Sequence, residues 1–349
     1  MIKVFAPPAP IDTFSDWFGK SSDFSKSENF GEVLVQDIKI ACVPIFFDEG
    51  YKFPYDKFDL ILISDIEFNH VRVIQEWVKK LQIKNYLIAV GGLEKYTVLG
   101  DYIYRPWWAF NLVNRNTHKK INTWNPLYNF DVLLGARKPH RDFVMAKCQK
   151  SFLLDSSIVN YRQVFKTPEY IDPDIQHYIT SKLYPDQLLF PYISHNLDPK
   201  WEVAKTVNYQ VSDQVPWNIY EHTKFSAVLE THYHEVFFFS EKPAKALLGR
   251  RVFVVFSCQH YLEQMRTLFG FKTFDGIINE GYDLEENAIK RFEMAFEQME
   301  WLARQDYTAI KLKTDPIVDY NFNRLLELKQ EIADQMLQMV YNKIEEIKC

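Results

Sequence analysis

FSAVLETHYHEVFFFSEKPAKALLGRRVFVVFSCQHYLEQMRTLFGFKTFDGIINEGYD, from Phe225 to Asp283, is the stretch that decides the fold. Phe225 to Glu230 reads as a buried strand. The aromatic run Phe237-Phe238-Phe239 leads into Ser240-Glu241-Lys242-Pro243. A short helix follows, then Gly249, then a second apolar strand over Val252 to Phe256. Strand, loop, helix, strand is a βαβ unit, the building block of a parallel α/β sheet. Ser240 suits an N-cap, because its hydroxyl can accept a free amide of the first turn. Glu241 sits where the helix dipole favours a carboxylate. Pro243 is tolerated in the first turn, where its missing N–H has no intrahelical partner. Free amides at such a terminus make an anion site, to which Lys242 adds a full charge. Taken alone, these residues also describe a plain, well-capped helix start exposed to water.

Upstream, strand and helix alternate over the first 110 residues, which argues an open α/β half. Ile2 to Ala6 is a short strand ended by Pro7, Pro8 and Pro10. Lys39 to Phe47 is a strand that Pro44 demotes towards an edge. Phe58 to Ser64 is a continuous apolar run, expected for a parallel strand covered on both faces. Val71 to Leu81 has helical spacing, Tyr86 to Val90 is a further buried strand, and Gly91-Gly92 turns the chain. Ligands of open parallel sheets bind beyond the carboxyl ends of the strands, and polar residues collect there. Asp65, Glu67 and Glu94 are candidates for a base that takes a proton from an acceptor hydroxyl; helix capping and solvation are the alternatives for each. Arg105, Trp107 and Trp108 are candidates for acceptor contact, the two Trp as an aromatic platform or as packing.

Asn111 to Tyr128 is polar and basic and leads into a second α/β half. Asp131 to Gly135 starts a strand, and Ala136-Arg137-Lys138-Pro139-His140-Arg141 is a basic loop opening a helix over Asp142 to Leu153. Cations at a helix N-terminus oppose the dipole, so the loop calls for an anionic ligand. Arg137, Arg141 and His140 are the candidates. Ser157 to Arg162 is another strand, and the proline-rich Phe165 to Pro216 holds short helices and a loop over the cleft. Asp283-x-x-Glu286 resembles a capping box for a helix running to about Arg304. Tyr320 to Ile347 is an amphipathic helix, with Leu325, Leu328, Ile332, Met336 and Met339 on one face. His232, His234 and Glu235 form HxHE, but no third ligand stands at a metal-site spacing, so no metal is expected. His232 is instead a candidate substrate contact.

With 349 residues, 47% hydrophobic and 16% aromatic, the chain is a well-cored globular protein of one very large or two ordinary domains. A net charge of −5 gives no global attraction to nucleic acid. DNA contact would need a local track, for which Arg115, His118, Lys119, Lys120, Arg250 and Arg251 are candidates. Four cysteines without a CxxC pair read as reduced thiols. Neither a signal peptide nor a run of about 18 apolar residues is present, so a cytoplasmic protein without membrane contact is expected. No GxSxG, Walker loop or GxGxxG occurs, which leaves hydrolase, NTPase and dehydrogenase readings unsupported.

The Ser240-Glu241-Lys242 step, with its following small-residue turn and apolar strand, resembles the donor motif of α1,3-fucosyltransferase-like enzymes. Phe271-Lys272-Thr273-Phe274-Asp275 and Gly281-Tyr282-Asp283 resemble a group of bacteriophage-encoded glycosyltransferases of GT-B architecture. The resemblance extends in the same order over Asp65 to Trp108 and Asp131 to Arg162. Ser240 stands where that family more often has Thr, and Pro243 departs from its pattern. The resemblance implies two Rossmann-like domains facing across a cleft, with residues 1–125 on the acceptor side, 126–315 binding nucleotide-sugar and 316–349 forming a helix that crosses back. It implies that Glu241 binds the donor ribose and Lys242 the diphosphate, with a basic contact from the 136–141 loop. Glu230 aligns loosely with a motif glutamate. The activity implied is transfer of a sugar, glucose or arabinose, from a UDP- or GDP-linked donor without a metal or other cofactor. The favoured acceptor is 5-hydroxymethylcytosine in phage DNA, its base flipped into the cleft. A surface glycan, or a binding protein without turnover, are the alternatives. The oligomeric state stays open.

Overall fold

Leu60 to Ser64 is buried along its whole length, and its place in the sheet explains why. In the computed structural model, which describes residues 1–6, 13–18, 21–45, 53–65, 71–94, 102–115, 126–165, 172–185, 214–234 and 236–349, this run is an inner strand of a six-stranded sheet. The strands are β1 (Ile2–Phe5), β2 (Phe24–Ser27), β3 (Ile40–Pro44), β4 (Leu60–Ser64), β5 (Tyr86–Val90) and, past the two-residue β6 (Leu93–Glu94), β7 (Tyr102–Tyr104). Their order is β2-β1-β3-β4-β5-β7 and every neighbouring pair is parallel. Helix α1 (Thr13–Phe18) packs against this sheet, and its buried Trp17 donates from Nε1 to Ser64 Oγ at 3.1 Å. The short helix α2 (Phe30–Leu34), α3 (Val71–Lys80) and the start of α4 (Trp107–Arg115) also belong to the first half.

β3 is not the edge strand that Pro44 predicted, since it lies between β1 and β4. Pro44 is its last residue, and the next amide, Ile45 N, makes the bond to Ser64 O at 3.0 Å. A proline at a strand terminus removes no bond from the interior of the ladder.

The second sheet comprises β8 (Tyr128–Arg137), β9 (Ile158–Phe165), β10 (Thr223–Leu229) and, after the short β11 (Val236–Phe237), β12 (Phe253–Phe256). The order is β12-β10-β8-β9, again all parallel. The accompanying helices are α5 (Pro139–Gln149), α6 (Pro173–Tyr178), α7 (Trp217–Tyr220), α8 (Glu241–Leu248), α9 (Tyr261–Phe269) and α10 (Ala288–Ala303). The chain divides into two units, Met1–Trp108 with Glu327–Cys349, and Ala109–Leu326. Each is a Rossmann-like open parallel sheet with helices. No helix among the described residues is long and apolar enough to cross a membrane.

The last helix, α11 (Tyr307–Lys348), has 42 residues and holds Pro316 in its interior. It starts earlier than the pattern from Tyr320 predicted. Asp306 accepts from Ala309 N at 2.7 Å and caps it, and the ring of Pro316 does not end it. Leu325, Leu328, Ile332, Met336, Val340 and Ile344 form the buried stripe; Val340 takes the place expected of Met339, which is half-buried.

Asp283 does not open α10. Asn287 caps that helix, accepting from Lys290 N at 3.0 Å. Asp283 instead accepts from Leu262 N and Glu263 N at 2.9 and 3.0 Å, so it caps α9 from 20 residues away in sequence. His260, which precedes α9, has φ 63° and makes no side-chain cap bond.

Arg250 and Arg251, predicted as a basic track, are structural. Arg251 is buried, with Nη2 3.3 Å from Asp131 Oδ1, Nε on Ser226 Oγ at 3.1 Å and Nη1 on Thr223 O at 2.8 Å. Arg250 pairs with Asp319 at 2.7 Å and stacks over Phe322. Gly249 lets the chain pass beneath Tyr220: a Cβ there would stand 2.6 Å from two ring carbons of that buried side chain. Gly249→Ala is expected to cost about 1–3 kcal/mol, the usual penalty of overpacking, read as a lower denaturant midpoint at unchanged slope.

Candidate functional site

β8 connects to β9 on one side of the second sheet, and the chain then returns to the other side for β10 and β12. The sheet's switch point therefore lies between β8 and β10, where ligands of open α/β sheets bind beyond the carboxyl ends. Lys138 follows β8 there, and Glu230 and Thr231 follow β10. Two amines from different elements meet on Thr231. Lys138 Nζ donates to its carbonyl at 2.9 Å and Lys242 Nζ to its Oγ1 at 3.0 Å. Lys242 Nζ also lies 3.0 Å from Glu241 Oε1.

Ser240 caps α8 as its sequence position predicted, with Oγ accepting from Lys242 N at 3.2 Å. Burial pushes the Glu241 carboxyl up, but Lys242, Lys245 and hydrogen bonds outweigh it and hold the pKa down to about 2. One of those bonds comes from its own backbone amide. The Lys242 amide is taken by Ser240 and Pro243 has none, so the first turn of α8 presents fewer free amides than the sequence implied. Any anion here rests on the lysines.

The 136–141 loop divides its residues. Arg137 is 9% exposed and bound to Asp142 at 2.9 Å, while Tyr161 donates to the same carboxylate at 2.8 Å. This engages its guanidinium with α5, whose Asp142 is also bound from β9. His140 is fully buried, with Nε2 2.8 Å from Glu230 O. A carbonyl only accepts, so Nε2 carries the proton. Burial and then Arg141 and Lys138 hold its pKa well below the ordinary value. The ring is a neutral wedge beneath the site, packed 4.7 Å from Tyr233. Arg141 donates from Nη1 to Ala136 O at 2.9 Å; burial brings its pKa down to about 10, while Glu241 and Glu230 support its charge. His232 is held near 4 by burial, Lys138 and Lys242, which makes it a neutral ring at physiological pH.

The loop sequence signalled a cation but not which one. Nothing local in the sequence tells that Lys138 turns to the residue after β10 while Arg137 turns to Asp142. Glu230 is fully buried; burial raises its pKa, against Lys242 and the bonds from Ser240.

In the first unit, Asp65 follows β4, is 3% exposed and donates from its amide to Ala89 O at 2.8 Å. Glu94 is the last residue of β6, whereas Glu67, His118, Lys119, Lys120 and Glu235 lie outside the described residues. Arg105 follows β7, its amide donating to Val90 O at 2.8 Å. Trp107 and Trp108 open α4 with rings edge to face at 4.9 Å. The site thus brings Ser240, Glu241 and Lys242 together with Lys138 and Arg141 in one unit, while Asp65, Arg105 and the two Trp belong to the other.

Fold and site together define an α/β protein of two Rossmann-like units, with Lys138 and Lys242 converging on Thr231 at the switch point of one sheet. No family model matches the chain, and no curated protein does. It is similar in structure to the DNA modifying enzyme beta-glucosyltransferase, solved in the presence and absence of the substrate uridine diphosphoglucose. The TM-score is 0.47 at 12% identity, over 98% of this chain and 99% of that one. A likeness at this level carries no argument about what this chain binds.

Proposed function

We propose that the chain is a nucleotide-sugar-dependent glycosyltransferase of GT-B type. The observation that carries this reading is the convergence of Lys138 and Lys242 on Thr231, beside an ionised Glu241, at the switch point of the second sheet. A nucleoside-diphosphate sugar needs those groups: an always-charged carboxylate to accept from ribose hydroxyls, and paired cations for the diphosphate. A base in the first unit, Asp65, Glu67 or Glu94, takes the proton of the acceptor hydroxyl. The oxygen bonds to the anomeric carbon as the bond to the diphosphate oxygen breaks. The charge that develops on the leaving nucleoside diphosphate falls on Lys138 and Lys242, with Arg141 adding to the field. No metal or other cofactor enters this scheme.

A UDP- or GDP-linked hexose or pentose is the proposed donor, and 5-hydroxymethylcytosine in DNA the proposed acceptor, with the cytoplasm as the place of action. The acceptor rests on the likeness of residues 225–283 to phage-encoded enzymes; Arg250 and Arg251 lend it nothing. One nucleoside diphosphate from a panel is expected to raise the melting temperature by mass action, with a stabilisation that grows with concentration and reaches about 2.7 kcal/mol at 100 times its Kd. A panel that leaves melting unmoved would overturn the donor site. With the base known, transfer to hydroxymethylated DNA measured beside a glycan panel decides the acceptor.

A further inference from the structure

Glu230 has no part in the chemistry above, yet its carboxylate ties together three elements of the donor site. Oε1 accepts from Ser240 N at 2.9 Å and from Tyr261 OH at 2.7 Å. Oε2 accepts from Ser240 Oγ at 2.5 Å and from Thr231 N at 3.0 Å. Two carboxylate oxygens offer about four acceptor sites, so both are filled, by the end of β10, the cap of α8 and the first residue of α9. The proton directions follow. Ser240 Oγ accepts from Lys242 N at 3.2 Å, so its single hydrogen points to Glu230. All four partners donate, and only the ionised carboxylate accepts from all of them.

The atoms fixed in this way hold Lys242. Its Nζ lies 3.0 Å from Thr231 Oγ1 and 3.4 Å from Ser240 Oγ, and Glu230 holds the backbone of both residues. From this geometry we infer that Glu230 is a positioning residue: it sets the Lys242 ammonium, and through it the Glu241 carboxylate, in the place where a donor diphosphate binds. The diphosphate part of this inference rests on the glycosyltransferase reading; the placing of Lys242 does not.

Glu230→Gln keeps the shape, loses the charge and turns an NH2 towards donors. Asp131→Asn serves as the control, a buried carboxylate that pairs with Arg251 along the same strands. Two measurements are made on the full chain. The first is the Kd for UDP and GDP by calorimetry. The second, without nucleotide, is the rate of acetylation of Lys242 by a water-soluble succinimidyl acetate, read by peptide mass spectrometry against the exposed Lys290.

In Glu230→Gln the Kd is expected to rise about tenfold or more, as for a lost bond to a charged group. Lys242 is expected to acetylate several-fold faster while Lys290 is unchanged, and Asp131→Asn moves neither. An unchanged Kd together with an unchanged Lys242 rate would overturn the inference. If the natural chain binds neither nucleotide but the Lys242 rate still rises in the variant, the donor reading fails and the placing of Lys242 stands. Should Glu230→Gln not fold, Ser240→Ala removes the same link from the other side, and Ser240→Thr, which keeps the hydroxyl, should restore both readouts; failure of Ser240→Ala to change either would again overturn the inference.

Discussion

Lys242→Ala is expected to lower kcat/KM for sugar transfer by about 10²–10³-fold, the usual loss when one preorganised charge is removed from a developing anion. The fold should survive. Lys242 is 24% exposed, and Lys245, the helix terminus and the Glu241 amide still support the Glu241 carboxylate. Far-ultraviolet dichroism and melting check the fold while product formation checks the activity; unchanged transfer would remove Lys242 from the donor site. Lys138→Ala should act alike. Because both amines bond Thr231, the double variant should lose less than the product of the two single losses. The acid side has a defined sign. Glu241 has a depressed pKa, so the stability from its pairing is present above the unfolded value of about 4.3 and is lost as pH falls through about 2. Donor affinity measured between pH 5 and 8 should therefore show no step from this carboxylate.

Arg251→Ala is expected to cost about 3–5 kcal/mol, because it leaves the buried Asp131 carboxyl without its cation among apolar strands. Asp131 is 3% exposed, and its remaining partners, Ser226 and Thr223, are hydroxyls at 2.8 and 3.2 Å. Burial already raises its pKa, so the variant should take up a proton there. Removing both members, as in Asp131→Leu with Arg251→Met, should cost much less than Arg251→Ala alone. Urea denaturation followed by fluorescence measures both, and a single-variant loss below about 1 kcal/mol would show that the pair is not the keystone of β8, β10 and β12.

Strand runs such as Leu60–Ser64 and Phe253–Phe256 were legible because a parallel strand covered on both faces must be apolar throughout. The cap at Ser240 was legible because it acts within three residues. What the sequence hid was set by distance. Asp283 reads as a cap for the helix after it, and only the folded chain carries it to the amides of α9. Arg250 and Arg251 read as surface charge, and their partners lie 69 and 120 residues away. In the basic loop Arg137, Lys138, His140 and Arg141 all have the composition of an anion ligand. At the end of β8 Arg137 goes to Asp142, and the next residue, which precedes α5, goes to Thr231. Glu230 gave the faintest signal, since a lone glutamate after an apolar strand says nothing of four donors that converge on it.

The division of α11 has a consequence for how the chain is made. The first unit is discontinuous, built from residues 1–108 and 327–349. Tyr341 sits 5.6 Å from Phe24 and bonds Asp23, more than 300 residues earlier. On a ribosome adding about 5–20 residues per second, the second unit emerges complete while the first still waits for its last helix. The order of birth and the order of maturation are reversed. The first-made sheet waits longest for the rest of its unit, and a chain released before residue 327 would carry a finished second unit and an unfinished first one.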